Sequence, residues 1–198
     1  MPKTFSEHER AYIKKRLIEE AEVCLGIYGV KKTTVDELVK RVNIPKGTFY
    51  LFYESKELLF FDVINKYHHQ KNAEISKRLD DMKEPLSPES LTELIFQMYQ
   101  SVFSSFIYQL IKANELELII RKLPQKVTLD HINNDDFNVE ILLKQIPGAD
   151  PTKISTYSAA LRAVFLAMLN KQEIGEDHFN DVIRLMIRGI VIQIFRGE

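Results

Sequence analysis

The chain has 198 residues, 45% of them hydrophobic, with seven glycines and seven prolines, enough apolar material to bury a core. Its 27 basic and 28 acidic side chains nearly cancel, so net charge neither demands nor excludes an anionic partner. A single cysteine, Cys24, rules out an internal disulfide, and the longest apolar run, Leu185–Phe195, carries Arg188 and Gln193 and falls short of the roughly 20 residues a bilayer requires. The N-terminus runs through Met1-Pro2-Lys3-Thr4 into charge without the pattern of a signal peptide, which points to a cytoplasmic protein with no membrane partner. Charge is unevenly spread: residues 1–56 hold eleven Lys/Arg against eight Asp/Glu, leaving sixteen against twenty in the remainder. A mildly basic head on an acidic body suits a protein whose head alone meets an anion.

Apolar residues recur at helical spacing nearly everywhere and no strand alternation appears, so the expected fold is all-α, with about nine helices. The first helix is expected to begin at Ser6, with Glu9 completing a capping box, to bury Ile13, Leu17, Ala21, Cys24 and Tyr28, and to stop at Gly29. A short second helix starts at Thr33 or Thr34, carries Asp36 and Glu37 in its first turn, buries Val35, Leu38, Val39 and Val42, and ends near Asn43. A third short helix has Pro45 as its first residue. After a break at Tyr53-Glu54 a long fourth helix is capped by Ser55 and runs to the prolines at 85 and 88. A fifth is expected from about Pro88 to Ala113. A broken stretch with Pro124 and the sequence INNDD leads to a helix ending at Pro147-Gly148. Two strong helices close the chain, the first opened by Asp150-Pro151 and the second by Asp177.

Two short helices joined by a tight turn, the second with an awkward exposed face, make a helix-turn-helix, whose second helix enters the major groove of DNA. Lys31–Phe52 fits. Thr33 and Thr34, with the free amides of the second helix, can hold a phosphate, as can Lys56 at the start of the fourth. Tyr50 offers a rigid hydroxyl for another. Lys46 and Thr48 are placed to reach base edges or the backbone, and Gly47 clears the approach between them. Phe49, Leu51 or Phe52, Tyr53, Leu58 and Leu59 are open to either role, core or DNA contact.

The stretch TTVDELVKRVNIPKGTFYLFYESKELL, from Thr33 to Leu59, resembles the N-terminal signature of the TetR family of transcriptional regulators: Thr-Thr, an amphipathic helix, a turn, Lys-Gly-Thr-Phe-Tyr, an aromatic pair and Ser-Lys-Glu-Leu-Leu. The likeness covers about fifty residues. It implies an N-terminal three-helix helix-turn-helix DNA-binding domain, residues 1–54, followed by a larger helical ligand-binding and dimerisation domain, residues 55–198. Two positions depart from the pattern. Pro45 stands where the family has a capping Ser, and Phe52-Tyr53 replaces Tyr or His followed by Phe, so Phe52 offers DNA only an apolar contact such as a thymine methyl.

The resemblance also implies a homodimer on a double-stranded DNA operator, joined by the last two helices of each subunit. The residues agree: the final helix is apolar almost all round, and small residues let backbones approach. The interface is expected at Ala160, Val164, Met168, Val182, Met186, Gly189, Ile190 and Gln193. The family's bodies commonly bind a small molecule, and the fifth helix carries surplus apolar surface. Met98, Tyr99, Val102, Phe103 and Phe106 are the candidate lining for an apolar or aromatic effector. The implied function is a repressor released from its operator by that effector.

Nothing points to catalysis. There is no nucleophile elbow, phosphate-binding glycine loop or metal-ligand spacing, and no cofactor is expected. Cys24 falls on a buried stripe, and His68-His69 have Asn72 and Ala73 where a third ligand would sit. The Asp130–Asp136 cluster lacks the Gly and terminal Glu of a calcium loop. Two alternatives stay open: a helical ligand-binding or enzymatic protein with a vestigial head, and a DNA-binding protein without a small-molecule input.

Overall fold

The computed structural model describes residues 5–81, 85–124, 139–144, 146 and 149–196. Among them all regular structure is helical, in eleven α-helices and one 3₁₀ turn, two more than expected. They are α1 Glu7–Lys32, α2 Val35–Val42, α3 Lys46–Phe49, α4 Lys56–Asp80, α5 Pro88–Phe103, α6 Phe106–Lys112, α7 Leu116–Ile120, α8 Val139–Lys144, α9 Ile154–Met168, α10 Lys171–Ile174 and α11 Phe179–Arg196. The chain forms two compact units. One comprises residues 1–69 and 104–130, the other residues 70–103 and 131–198.

In the first unit, α1 begins as its sequence requires. The Ser6 hydroxyl accepts from the amide of Glu9, whose carboxylate accepts from the amide of Ser6, so two otherwise orphaned donors are satisfied. Ile13, Leu17, Ala21 and Cys24 are buried. Tyr28 is not: it is 42% exposed, and its ring lies under the Arg41 guanidinium at 5.8 Å. The apolar stripe ends a turn early because the backbone kinks at Gly29 (φ 72°, ψ −176°), a conformation close to glycine-only. α1 packs against both α2 and α6. Thr34 caps α2, its hydroxyl accepting from the amide of Glu37 at 3.2 Å. Asn43 ends that helix in the left-handed conformation, φ 58°.

In the second unit a single core gathers α5, α8, α9 and α11 around Leu91, Ile95, Tyr99, Leu142, Leu161, Ile183, Ile187 and Val191. The Tyr99 hydroxyl donates to the carbonyl of Leu161 at 2.8 Å, and burial pushes its pKa up. Arg184 of α11 pairs with Glu93 of α5 and stacks 3.7 Å above Phe96, while Arg188 pairs with Glu89. The expected fifth helix breaks at Ser104-Ser105, where Ser105 takes extended backbone; serine side chains compete with the helix for backbone partners. α9 starts at Ile154 rather than at Asp150-Pro151, which forms a turn in which Asp150 accepts from the amide and hydroxyl of Thr152. α11 starts at Phe179, after the 3₁₀ turn Glu176–His178 that contains Asp177. The helix expected to end at Pro147-Gly148 is described only as Val139–Lys144; those two residues lie outside the described ones.

Candidate nucleic-acid interface

α2 and α3 are joined by Asn43, Ile44 and Pro45. The amide of Ile44 returns to the carbonyl of Val39 at 3.0 Å, and the carbonyl of Pro45 accepts from Thr48 at 2.9 Å. Pro45 is therefore the N-cap residue and not the first helical one; its fixed φ of −62° suits the helix start, and it has no N–H to leave unpartnered. α3 is one turn long. It is held from below by Phe49, which is fully buried, in edge contact with Tyr50 at 5.4 Å and 6.1 Å from the ring of Tyr53. The Tyr53 hydroxyl donates to Asp62 of α4 at 2.9 Å. Asp62 also pairs with Lys14, so α1, the turn that follows α3 and α4 meet at one carboxylate. Burial, then the Asp62 charge, raise the pKa of Tyr53 far above the usual phenol range, which keeps this hydroxyl a donor.

The outer surface holds Thr34, Lys46, Gly47 and Tyr50. Tyr50 is 51% exposed and its neighbour Leu51 58%. A Cβ built on Gly47 would meet nothing within 4 Å, so the middle of this turn is bare backbone. Lys46 reaches back to α2, its Nζ 2.9 Å from Oδ1 and 3.0 Å from Oδ2 of Asp36. That hydrogen bond, with the carboxylate's charge, raises the lysine pKa. Lys31 and Lys32 at the end of α1 and Lys40 on α2 are exposed as well. From the sequence Asp36 stands out only as a first-turn acid of α2, and the signal for the lysines is the doublet at 31–32 directly before Thr33-Thr34.

The other candidate DNA contacts lie elsewhere. Thr33 is fully buried, its hydroxyl donating to the carbonyl of Gly29 at 2.7 Å. Thr48 is buried as well. Phe52 is half-buried, 6.4 Å from Phe5 and beneath the guanidinium of Arg10 at 5.1 Å. Lys56 turns inward, donating to the carbonyls of Val30 at 2.8 Å and Thr33 at 2.7 Å. It thereby caps the open end of α1, where orphaned carbonyls and the helix dipole favour a cation. Burial, with Lys122 adding to it, lowers its pKa against the opposing pull of Glu57 and Glu115.

The same turn is held from its other side. Glu115, buried between α6 and α7, accepts from the amide of Val30 at 2.6 Å. Glu57, buried beside Lys56, pairs with Lys122 at 2.8 Å. Residues 85 positions apart thus hold the turn from which α2 springs, and no local sequence pattern could have shown it.

The proposed effector lining is divided between the units. Tyr99 and Val102 are buried, and Met98 and Phe103 pack partly buried against the core of the second unit. Phe106 belongs to the first unit, in edge contact with Tyr67 at 5.6 Å. It lines an open depression of about 440 Å³ with Glu19, Glu22, Val23, Tyr67, Ser104 and Ser105. Of the expected dimer residues, Met186, Gly189 and Gln193 are exposed and Ala160, Val182 and Ile190 half-buried, whereas Val164 and Met168 are 2% and 0% exposed, inside their own core. The open stripe of α9 is Ala159, Ala163 and Leu166, about 100° around the helix from the one expected. Among the described residues no cluster of three or more His, Cys, Asp or Glu could hold a metal, and no helix is long and apolar enough to cross a membrane. The Asp130–Asp136 cluster lies outside the described residues.

This is a helix-turn-helix with an uncluttered recognition turn. Residues 17–63 match the profile of the family described as bacterial regulatory proteins, tetR family. Two similar proteins of Bacillus subtilis (strain 168) are both uncharacterized HTH-type transcriptional regulators. YhgD is 33% identical over 75 residues, 38% of this chain and 37% of YhgD; YuxN is 36% identical over 55 residues, 28% and 19%. The chain thus matches well under half the length of either. Two solved structures share the fold. SCO4454, a TetR-family transcriptional regulator from Streptomyces coelicolor, superposes with TM-score 0.63 at 11% identity, covering 93% of this chain and 96% of that one. RolR in complex with resorcinol gives TM-score 0.54 at 16% identity, covering 94% and 96%. Over residues 17–63, its N-terminal part, the chain is thus similar to the TetR family.

Proposed function

We propose that this is a cytoplasmic, homodimeric DNA-binding transcriptional regulator, a repressor that a small apolar or aromatic molecule releases from its operator. The observation that carries the reading is the exposed turn of α3, with bare backbone at Gly47 flanked by Lys46 and Tyr50; a helix serving only to pack would hide that face. Residues 1–54 then form the DNA-binding head and residues 55–198 the effector-binding and dimerisation body. Thr34, Lys46, Gly47 and Tyr50 approach DNA directly, Phe52 lies at the edge of the contact, and Thr33, Thr48 and Lys56 position the helices. The dimer forms through the open stripes of α9 and α11, which would set the two heads at half-sites about 34–36 Å apart or a multiple of that. The effector reading draws support from RolR, solved with the aromatic diol resorcinol, and from the ring cluster of Tyr99, Phe103 and Phe165 beside Met98.

Selection of bound duplexes from a random pool, followed by affinity measurements at several salt concentrations, tests the reading. A regulator selects a two-fold site and its affinity falls steeply with salt as phosphate contacts release counterions. A salt-independent or undetectable interaction would sink it. Lys56→Met sharpens the assignment of roles. Because the ammonium is spent on Val30 and Thr33, the variant is expected to lose about 1–3 kcal/mol of stability and some DNA affinity, with the slope of log affinity against log salt unchanged. A slope shallower by about 0.9 per subunit would show instead that Lys56 contacts phosphate.

A further inference from the structure

Lys46 is the one charged residue of α3, and one of its N–H groups is engaged with Asp36, a residue 71% exposed on the first turn of α2. An acidic side chain on a surface that meets DNA opposes binding unless it has a task there. We infer that Asp36 and Lys46 act as one reading unit for a G·C base pair in the major groove, an assignment that rests on the DNA-binding function proposed above.

The donor count supports it. A lysine ammonium has three N–H groups and no acceptor. One is directed at the Asp36 carboxylate, shared between oxygens at 2.9 and 3.0 Å, which leaves two. A G·C pair offers two adjacent acceptors, guanine N7 and O6, followed by one donor, the cytosine N4 amino group; an A·T pair interleaves them as acceptor, donor, acceptor. Within a single base pair, only guanine offers Lys46 two adjacent acceptors for its remaining N–H groups, and Asp36 can then accept from cytosine N4. The spacing agrees as well. Guanine O6 and cytosine N4 are separated by one Watson–Crick hydrogen bond, about 2.9 Å, and the Lys46–Asp36 separation is the same length. On an A·T pair the ammonium would face the adenine amino group, donor against donor. Gly47, with no atom within 4 Å of its Cβ position, leaves the backbone beside the pair free to come close to the base edges.

Asp36 also has an electrostatic consequence. By neutralising Lys46 it removes one cation from the sequence-independent attraction to phosphate, so it trades general affinity for discrimination. Removing the carboxylate should therefore raise binding to non-specific DNA while weakening base choice. A lysine used only for phosphate would gain nothing from an anion beside it.

The test uses the full-length protein and the duplexes it selects from a random pool. The selected half-site is expected to contain a fixed G·C pair whose replacement by A·T weakens the wild-type protein by about 5- to 150-fold per half-site. In Asp36→Ala and Asp36→Asn that ratio should fall toward one. Their binding to unrelated duplex should tighten, and the salt slope should steepen by about 0.9 per subunit as Lys46 turns to phosphate. Both substitutions are at an exposed position, and thermal melting verifies that the variants fold. The inference is overturned if the selected sites hold no fixed G·C pair, or if both variants keep the wild-type preference and slope. Absence of any salt-dependent binding by the wild-type protein would instead overturn the DNA-binding function itself.

Discussion

Gly189→Glu is expected to leave each subunit folded and to take the dimer apart. The position lies in α11, where a Cβ would meet nothing within 4 Å. Within the subunit the change only replaces a flexible glycine in a helix interior, which by itself favours the helix by about 0.5–1 kcal/mol. Around it the stripe of Val182, Leu185, Met186, Ile190 and Gln193 recurs at helical spacing. Leu185 is 71% exposed and, on α9, Leu166 is 53% exposed, while Ile183, Ile187, Val191 and Ile194 on the opposite side fill the subunit's own core. In the proposed dimer this stripe faces its two-fold copy, so the variant would bury two like charges without partners. An uncompensated buried charge costs about 3–5 kcal/mol, equivalent to roughly a 10²–10³-fold or greater rise in the dimer dissociation constant. Sedimentation at micromolar concentration should show folded monomers whose melting temperature no longer depends on protein concentration, and affinity for a two-half-site duplex should fall in parallel. A dimer of normal affinity would place the interface elsewhere.

Gly29→Ala is expected to lower stability by about 3 kcal/mol, from two causes that act together. The backbone at Gly29 has φ 72° and ψ −176°, which an L-residue adopts at a penalty of about 1–3 kcal/mol. The added methyl would also collide with Oε2 of Glu115. That side chain can swing aside only by giving up its hydrogen bond to the amide of Val30, and a buried donor left unsatisfied costs about 1–3 kcal/mol. The melting temperature should drop by roughly 6–12 °C. Because α2 springs from this turn, DNA affinity should fall with it. Glu115→Gln separates the two causes: an amide oxygen can still accept from Val30, so this variant should be the milder of the two. An unchanged melting temperature in Gly29→Ala would show that the turn accommodates the methyl.

What could be read without coordinates was whatever short-range chemistry decides. Ser6 with Glu9, Thr34 with Glu37, and Asn43 at the end of α2 act within four residues of themselves, and the helix-turn-helix is assembled from such signals in a fixed order. The long-range assignments went differently. Thr33, Thr48 and Lys56 have the composition of phosphate ligands, yet the structure turns each of them inward. Lys56 does so because the open end of α1 offers it two carbonyls, and those carbonyls lie 23 and 26 positions away in the chain. On α9 the apolar period was plain, but Ala160, Val164 and Met168 and the stripe Ala159, Ala163 and Leu166 are both small or apolar, so periodicity alone could not tell the inner from the outer. The division at Ser104-Ser105 was hidden by continuous apolar sequence on both sides.

Helix content, the start of α1, the cap and the end of α2 and the order of the helix-turn-helix were determined by the amino-acid sequence itself, because capping, turn geometry and helical periodicity are decided within a turn or two of the residue concerned. Which side chains meet the solvent, and so which can meet DNA or a second subunit, was decided only in the tertiary structure. There the pairing of Asp36 with Lys46 and the hold of Glu115 and Lys56 on the turn after Gly29 depend on separately encoded segments arriving at the same place. A polar side chain commits itself to a partner or to water according to that arrangement, and nothing in its immediate neighbours specifies the choice.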